Sequence, residues 1–345
     1  MKLFTDDGYI NMESIINTKL TFIIIVGGRA SGKTYGALKY CLDHNKKFIL
    51  MRRTQSQIDL ISKPEFSPFR SISLDTGREI MVKSITKYNG AFYDVKQDDE
   101  TGEYYAAGPA LGYSMALSTV SNLRGFDASD CEILVFDEFI KEAHEKPIRE
   151  EGQAFLNAYE TINRNRELKG FPALQCVMLA NSNDIGNPLF ITLGLIGKVE
   201  KMIQKGQRYS LDYDRGIGLF LISDSEILRQ KKDTALYRMA GSGDFADMAL
   251  GNQFADLKYN SVCPQPIAEY KPICTLGEIT FYKHKSEKRF YCSTLRLGSP
   301  DTYTSSETDI KRWCRKYNYL WTAYMKDLIY FEDITAEVIF KHYVD

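Results

Sequence analysis

The octet Gly27-Gly28-Arg29-Ala30-Ser31-Gly32-Lys33-Thr34 constrains this chain more than any other feature. It fits the pattern G-x4-G-K-[S/T], which works only as the turn between a buried strand and a helix. Both flanks are present: the apolar run Phe22 to Val26 precedes the octet, and the helix-forming stretch TYGALKYCLDH follows it. In such a turn Gly27, Gly28 and Gly32 let the backbone wrap closely. The N–H groups of the loop, from Arg29, Ala30 and Ser31 into the helix start at Tyr35, then converge on phosphate oxygens. Lys33 is expected to reach the β- and γ-phosphates, and the Thr34 hydroxyl to ligate Mg²⁺. A Gly-rich turn with no ligand is the competing reading, and the flanking strand and helix oppose it.

A strand covered on both faces reads as a continuous apolar run. Such runs are FIIIVGG (22–28), KFILMRR (47–53), CEILVFDEF (131–139), QCVMLAN (175–181) and GIGLFLISDS (216–225). Helical patterns alternate with most of them, including a long one from Ile148 to Leu168, and this alternation predicts an α/β fold with a mainly parallel sheet. Residues 54–129 break the pattern with Pro64, Pro68 and several glycines around short alternating pieces, which predicts a β-rich insertion or lid. The first domain is expected to span residues 1–257. Residues 258–345, with two strand-like runs around Ser286-Glu287-Lys288 and a Trp- and Tyr-rich helical tail, predict a small α+β second domain.

With 345 residues, 44% hydrophobic and 26% charged, the chain is excluded from the disordered, collagen-like and coiled-coil classes. Its 44 basic and 45 acidic residues give a formal net charge of −1, so any basic surface must be local. The cysteines (41, 131, 176, 263, 274, 292 and 314) never approach metal-ligand spacing and read as reduced thiols. No leader pattern and no apolar run of bilayer length is visible, so a cytoplasmic location and no membrane partner are expected.

LVFDEF places Asp137 at the end of a buried strand, where a carboxylate is costly unless it holds a cation or hydrogen bonds. Beside the phosphate loop, Asp137 reads as the carboxylate that steadies Mg²⁺. Glu138 reads as the residue that polarises water for attack on the γ-phosphate. The segment Ala180-Asn181-Ser182-Asn183 emerges from the next strand. Asn181 is either a γ-phosphate sensor or part of an Asn-rich turn before Gly186-Asn187-Pro188.

Taken together, GGRASGKTY, MRR, SNLRG, LVFDEF, INRNRE and LANSNDIGNPLF, spread in order over residues 15–255, resemble the viral double-stranded DNA packaging ATPases. Within that family the chain is similar to the small phi-29-like motors rather than the longer terminases. The resemblance implies a P-loop NTPase of the additional-strand, catalytic-glutamate type, using ATP and Mg²⁺. It further implies a homopentameric ring at the portal vertex of a procapsid, driving double-stranded DNA inward from the host cytoplasm. For Arg164, in NRNRE, it implies an arginine finger acting on a neighbour. Helical geometry at about 100° per residue agrees, turning Arg164 away from the face of Ile148, Phe155, Ala158 and Ile162, with Arg166 near that face. A solvated arginine at a helix end is the alternative. Arg52, Arg53 and Arg124 read equally as interface or surface residues.

For residues 258–345 the resemblance implies a vestigial RNase H-like nuclease fold, but Glu278, in a strand-like position, and the scattered Asp301, Asp309, Asp327 and Asp333 form no evident metal set. Two basic clusters, Lys283/Lys285/Lys288/Arg289 and Lys311/Arg312/Arg315/Lys316, are either contacts for DNA or packaging RNA or ordinary solvated charge. Another ring ATPase, such as a helicase or a conjugation or secretion motor, is the competing function, with a non-hydrolysing nucleotide-binding scaffold third. Glu138 opposes the scaffold.

Overall fold

The computed structural model describes residues 1–345 except 124, 127, 143–144, 182–184, 223–225, 232, 241–260 and 345. The apolar runs form strands β1 (Phe22–Gly27), β2 (Phe48–Arg52), β7 (Ile133–Asp137), β8 (Gln175–Ala180) and β10 (Ile217–Ile222). Between them lie β3 (Ile80–Ser84), β4 (Asn89–Gln97), β5 (Tyr104–Ala106), β6 (Gly112–Ala116) and β9 (Tyr209–Asp212). They build one sheet in the order β3-β4-β6-β2-β7-β8-β1-β10-β9, with β5 paired to β4. The six strands from β6 to β10 in that order run parallel, and the antiparallel pairs lie outside them.

Both faces of the parallel part are covered, which is why its strands read as unbroken apolar runs. On one face Ile23, Ile25, Leu50, Val135 and Val177 share a core with Ala37, Leu38 and Cys41 of the helix Lys33–Asp43. The intervening positions point the other way, where Phe136 stacks on Phe155 of the helix Glu151–Asn163 at 5.5 Å.

The segment 54–129, expected as a β-rich insertion or lid, continues the central sheet. Strand β6 pairs in parallel with β2, and β4 and β3 continue the same sheet, so these residues widen the central sheet. The segment also contains the helices Gln55–Ile61 and Arg70–Thr76. Phe69 and Phe92 pack on Phe48 with ring centroids 5.8 Å away, which ties the segment into the main core.

The chain divides into two compact units, Met1–Asp184 with Lys205–Phe254, and Ile185–Gln204 with Ala255–Asp345. The expected boundary at 257/258 falls outside the described residues. Residues 185–204, expected in the first domain, cluster with the second unit, where Ile191 packs against the second core. That unit holds strands β11 (Tyr270–Leu276), β12 (Ile279–His284), β13 (Phe290–Ser293), β14 (Thr302–Tyr303) and β15 (Ile329–Phe331), in the order β14-β11-β12-β13-β15. The helices Glu307–Tyr324 and Ile334–Val344 contribute Trp313, Tyr317, Leu320, Ile339 and Phe340 to its core. Glu278, expected on a strand, occupies the turn between β11 and β12. The basic clusters are largely engaged locally: Lys311 with Glu307, Arg312 with Asp309, Lys316 with Asp301, and Arg289 with Glu287. Among the described residues no helix is long and apolar enough to cross a membrane.

Candidate nucleotide site

The octet leaves β1 at Gly27 and enters the helix at Lys33. Its reversal uses left-handed backbone at Ala30 (φ 58°) and Gly32 (φ 85°). Glycine adopts the latter without strain, and no β-carbon separates it from the Tyr9 ring, whose Cδ1 would lie 3.1 Å from one. The Ser31 hydroxyl donates to the Gly28 carbonyl at 2.8 Å, and the Ile10 N–H donates to the Ser31 carbonyl at 3.0 Å. Lys33 is 5% exposed, and its Nζ lies 2.8 Å from the carbonyls of both Gly27 and Gly28. Its ammonium is therefore centred on the loop. Tyr35 is directed elsewhere, since its hydroxyl donates to Asp75 at 2.7 Å.

Strand β8 lies between β1 and β7, so the loop and the end of β7 are separated by one strand. The Thr34 hydroxyl spans that gap and donates to Asp137 Oδ1 at 2.9 Å. Asp137 is 3% exposed, and its Oδ2 lies 2.7 Å from an Arg52 nitrogen in an ion pair that leaves this oxygen without a hydrogen bond. A buried carboxylate oxygen without a hydrogen bond, beside a threonine hydroxyl, offers the hard oxygen ligands that Mg²⁺ takes while keeping waters and substrate phosphates in its remaining positions. The residues therefore fit the ion. No group of three or more His, Cys, Asp or Glu suited to a metal occurs among the described residues, and a phosphate-bridged Mg²⁺ needs none.

Glu138 follows with φ 56°, a conformation unusual for a residue with a β-carbon. The next N–H, of Phe139, bonds to the Leu179 carbonyl at 3.2 Å, and the Phe139 ring is buried, so the turn is fixed on both sides of Glu138. Burial pushes the Glu138 carboxyl above its ordinary range; the Arg52 guanidinium opposes that rise and Asp137 adds to it. Arg52 donates to Glu138 as well as pairing with Asp137. Glu138, Ile140, Glu142, Glu145 and Asn181 line one small cavity, and Arg29 pairs with Glu142 at its rim. Asn181 thus stands beside Glu138, while Ser182, Asn183 and Arg124 lie outside the described residues.

Neither Arg52 nor Arg53 is the surface residue that sequence left open. Arg53 is 0% exposed, held by Glu151 at 2.5 and 3.0 Å and by Glu145 at 2.9 Å. These contacts tie the end of β2 to the start of the helix after Glu138. Sequence reasoning missed Tyr9 and Ile10, which sit in a short segment without periodicity.

The helical-wheel direction for Arg164 is corrected. The helix ends at Asn163, whose Oδ1 accepts from the Leu174 N–H at 2.8 Å, and Arg164 takes φ 49° and ψ −138° as its cap. Its guanidinium donates to the Phe126 carbonyl at 2.9 Å. Arg166 bonds to the carbonyls of Pro172 at 3.1 Å and Ser129 at 3.0 Å, and to that of Cys131. Both arginines therefore lie by the start of β7, whereas Glu138 follows its end. The five residues of β7 at about 3.3 Å each separate Arg164 from its own Glu138 by roughly 17 Å.

A mainly parallel α/β sheet that brings a glycine-rich phosphate-type loop against paired carboxylates defines the general class of this chain. More particularly, it belongs to the Podovirus DNA encapsidation protein (Gp16) family, whose profile matches residues 5–264. It is 25% identical over 252 residues to the DNA packaging proteins of Bacillus phages PZA and phi29, a match covering 71% of this chain and 66%, just under two thirds, of theirs. Its fold is similar to that of the Phi-28 gp11 DNA packaging motor, with a TM-score of 0.67 and 17% identity over 99% of this chain and 98% of that one. For the bacteriophage Phi-29 viral genome packaging motor assembly the TM-score is 0.64, with 19% identity over 97% and 98%.

Proposed function

We propose that this chain is a P-loop ATPase that drives double-stranded DNA into a phage procapsid, working as a head-to-tail ring, a homopentamer, at the portal vertex in the host cytoplasm. The observation that carries the reading is the 2.9 Å contact from the Thr34 hydroxyl to Asp137, which brings two motifs together with Glu138 as the next residue. Membership of the DNA encapsidation family supports the substrate, and β8 between β1 and β7 supports the additional-strand type of sheet.

Loop N–H groups from Gly28 to Thr34 and the Lys33 ammonium hold the β- and γ-phosphates. Thr34 and Asp137 hold Mg²⁺, which when bound neutralises charge developing on the phosphate oxygens. Glu138 accepts the proton of the attacking water. Burial raises its pKa, which makes its carboxylate a stronger base than a solvated glutamate. Arg52 orients both carboxylates, and Asn181, which lines the same cavity as Glu138, senses the γ-phosphate. Arg164 acts on the site of a neighbouring subunit. Packaging RNA remains a candidate partner through the exposed Lys283 and Lys288.

The test is protection of added DNA from nuclease by procapsids supplied with this chain and ATP. Protection that requires ATP and is lost with Lys33→Ala supports the reading; protection independent of ATP overturns it.

A further inference from the structure

Glu145 lines the cavity beside Glu138, and its carboxylate gathers donors from three separate segments. Oε2 accepts from the Glu142 N–H at 3.0 Å and from Arg53 Nη1 at 2.9 Å, and Oε1 accepts from Gln57 Nε2 at 2.9 Å. These donors belong to the loop beyond Glu138, to the residue after β2, and to the helix Gln55–Ile61. An ionised carboxylate offers only acceptors, so it can face all three at once.

Each donor is committed in turn. The Gln57 amide has one orientation, because its Oε1 accepts from the Thr54 N–H at 3.0 Å at the start of the helix, which leaves Nε2 for Glu145. Arg53 is held independently by its bonds to Glu151. The third donor is backbone. It lies in the stretch whose Ile140 and Glu142 line the same cavity, and the Glu142 side chain pairs with Arg29 of the phosphate loop. At the near end of that stretch the Phe139 N–H bonds to the Leu179 carbonyl. Residues 139–142 are therefore pinned at both ends, with Glu138 immediately before them at φ 56°.

We infer that Glu145 is a positioning residue for water activation: it anchors the loop after Glu138 to the end of β2 and to the helix 55–61, and so sets where the Glu138 carboxylate stands. The inference rests on the reading of Glu138 as the base and adds a residue to it. Glu145 touches no reacting atom. Its side chain is 24% exposed, so solvent screens it and its share of the stability is small. What depends on it is geometry, where a displacement of about 1 Å can cost on the order of 10²-fold in rate.

The pattern of donors and acceptors supplies the test. Glu145→Gln keeps the shape and replaces one acceptor by an NH2 group. Turned toward Gln57, that group meets the donating Nε2; turned the other way, it meets the Glu142 N–H and Arg53. Gln57→Glu fails in the opposite sense, setting two carboxylates face to face. Combining the two substitutions exchanges the roles: the amide now at 145 donates to the carboxylate now at 57, which still accepts from the Thr54 N–H, while the amide oxygen accepts from Glu142 and Arg53. Phosphate release and ATP titration are measured on the full chain, with thermal melting as the check on folding. Each single variant should lose about 10- to 100-fold in turnover, with ATP affinity within about threefold of the parent and melting within a few degrees, and the double variant should recover most of the loss. Parental turnover in Glu145→Gln, a double variant no better than the singles, or a loss of turnover that merely follows loss of ATP binding or of folded chain overturns the inference. A parent chain that releases no phosphate overturns the activity itself, and that is seen before any variant is compared.

Discussion

Replacing Arg53 by methionine removes one partner of an ion pair that is 0 and 1% exposed on its two sides, and leaves Glu151 buried without its guanidinium. Glu151 cannot turn to water, since it opens the helix that covers Phe136. Breaking such a pair costs about 3 to 5 kcal/mol, most of it the penalty of the charge left behind. Glu145 also loses a partner, but it is 24% exposed and solvent screens it, so it contributes little to that figure. At a urea dependence of roughly 2 to 3 kcal/mol per molar, the unfolding midpoint seen by far-ultraviolet circular dichroism should fall by about 1 to 2.5 M. Both tryptophans, Trp313 and Trp321, lie in the second unit, so their fluorescence gives an independent trace of that unit in the same samples. The discriminating variant is Arg53→Met with Glu151→Leu. Removing both charges also removes the desolvation penalty, and most of the lost stability should return. A single substitution costing under about 1 kcal/mol, or a double variant no better than the single, would refute this account and return Arg53 to an interface role.

Lys33→Ala should weaken ATP binding, whereas Glu138→Gln should keep binding and lower turnover by about 10² to 10⁴-fold, as read by nucleotide titration beside phosphate release; near-parental turnover in Glu138→Gln removes it as the base. Turnover should fall as pH drops, with its acidic limb above the ordinary 4.5 of a glutamate, because burial raises the Glu138 carboxyl and only the deprotonated form accepts a proton. Arg52→Ala deletes the charge that opposes that rise, so its acidic limb should move to higher pH; a shift the other way contradicts the geometry. Arg164→Ala should bind ATP yet hydrolyse about 10³-fold more slowly, and mixing it with Glu138→Gln should restore part of the activity. No recovery in demonstrably mixed rings would leave Arg164 a helix cap. The full chain should show no Mn²⁺-dependent nicking of DNA, and nicking abolished by Glu278→Ala would overturn that expectation.

Sequence alone determined what depends on local order. Both motifs were legible because a phosphate-type loop must follow a strand and open a helix, and because an ionised carboxylate at the end of an apolar strand needs a reason to be there. The core strands were legible for a related cause: coverage on both faces makes β1, β2, β7, β8 and β10 continuous apolar runs. Only the tertiary structure decided which strands are neighbours. The chain order of β1, β7 and β8 says nothing of β8 lying between the other two, yet that placement brings Thr34 to Asp137. Arg52 and Arg53 read alike in sequence, but one strand-end residue meets Asp137 and Glu138 while the next is buried on Glu151, because successive side chains point to opposite faces. The segment 54–129 read as an insertion or lid because its strands are short and punctuated, and β6 joins the main sheet through backbone hydrogen bonds, which leave no trace in side-chain pattern. Arg164 marks the limit most sharply. Its direction followed from helical periodicity, and periodicity ended one residue earlier, where Asn163 spends its side chain on the Leu174 N–H and the backbone turns left-handed.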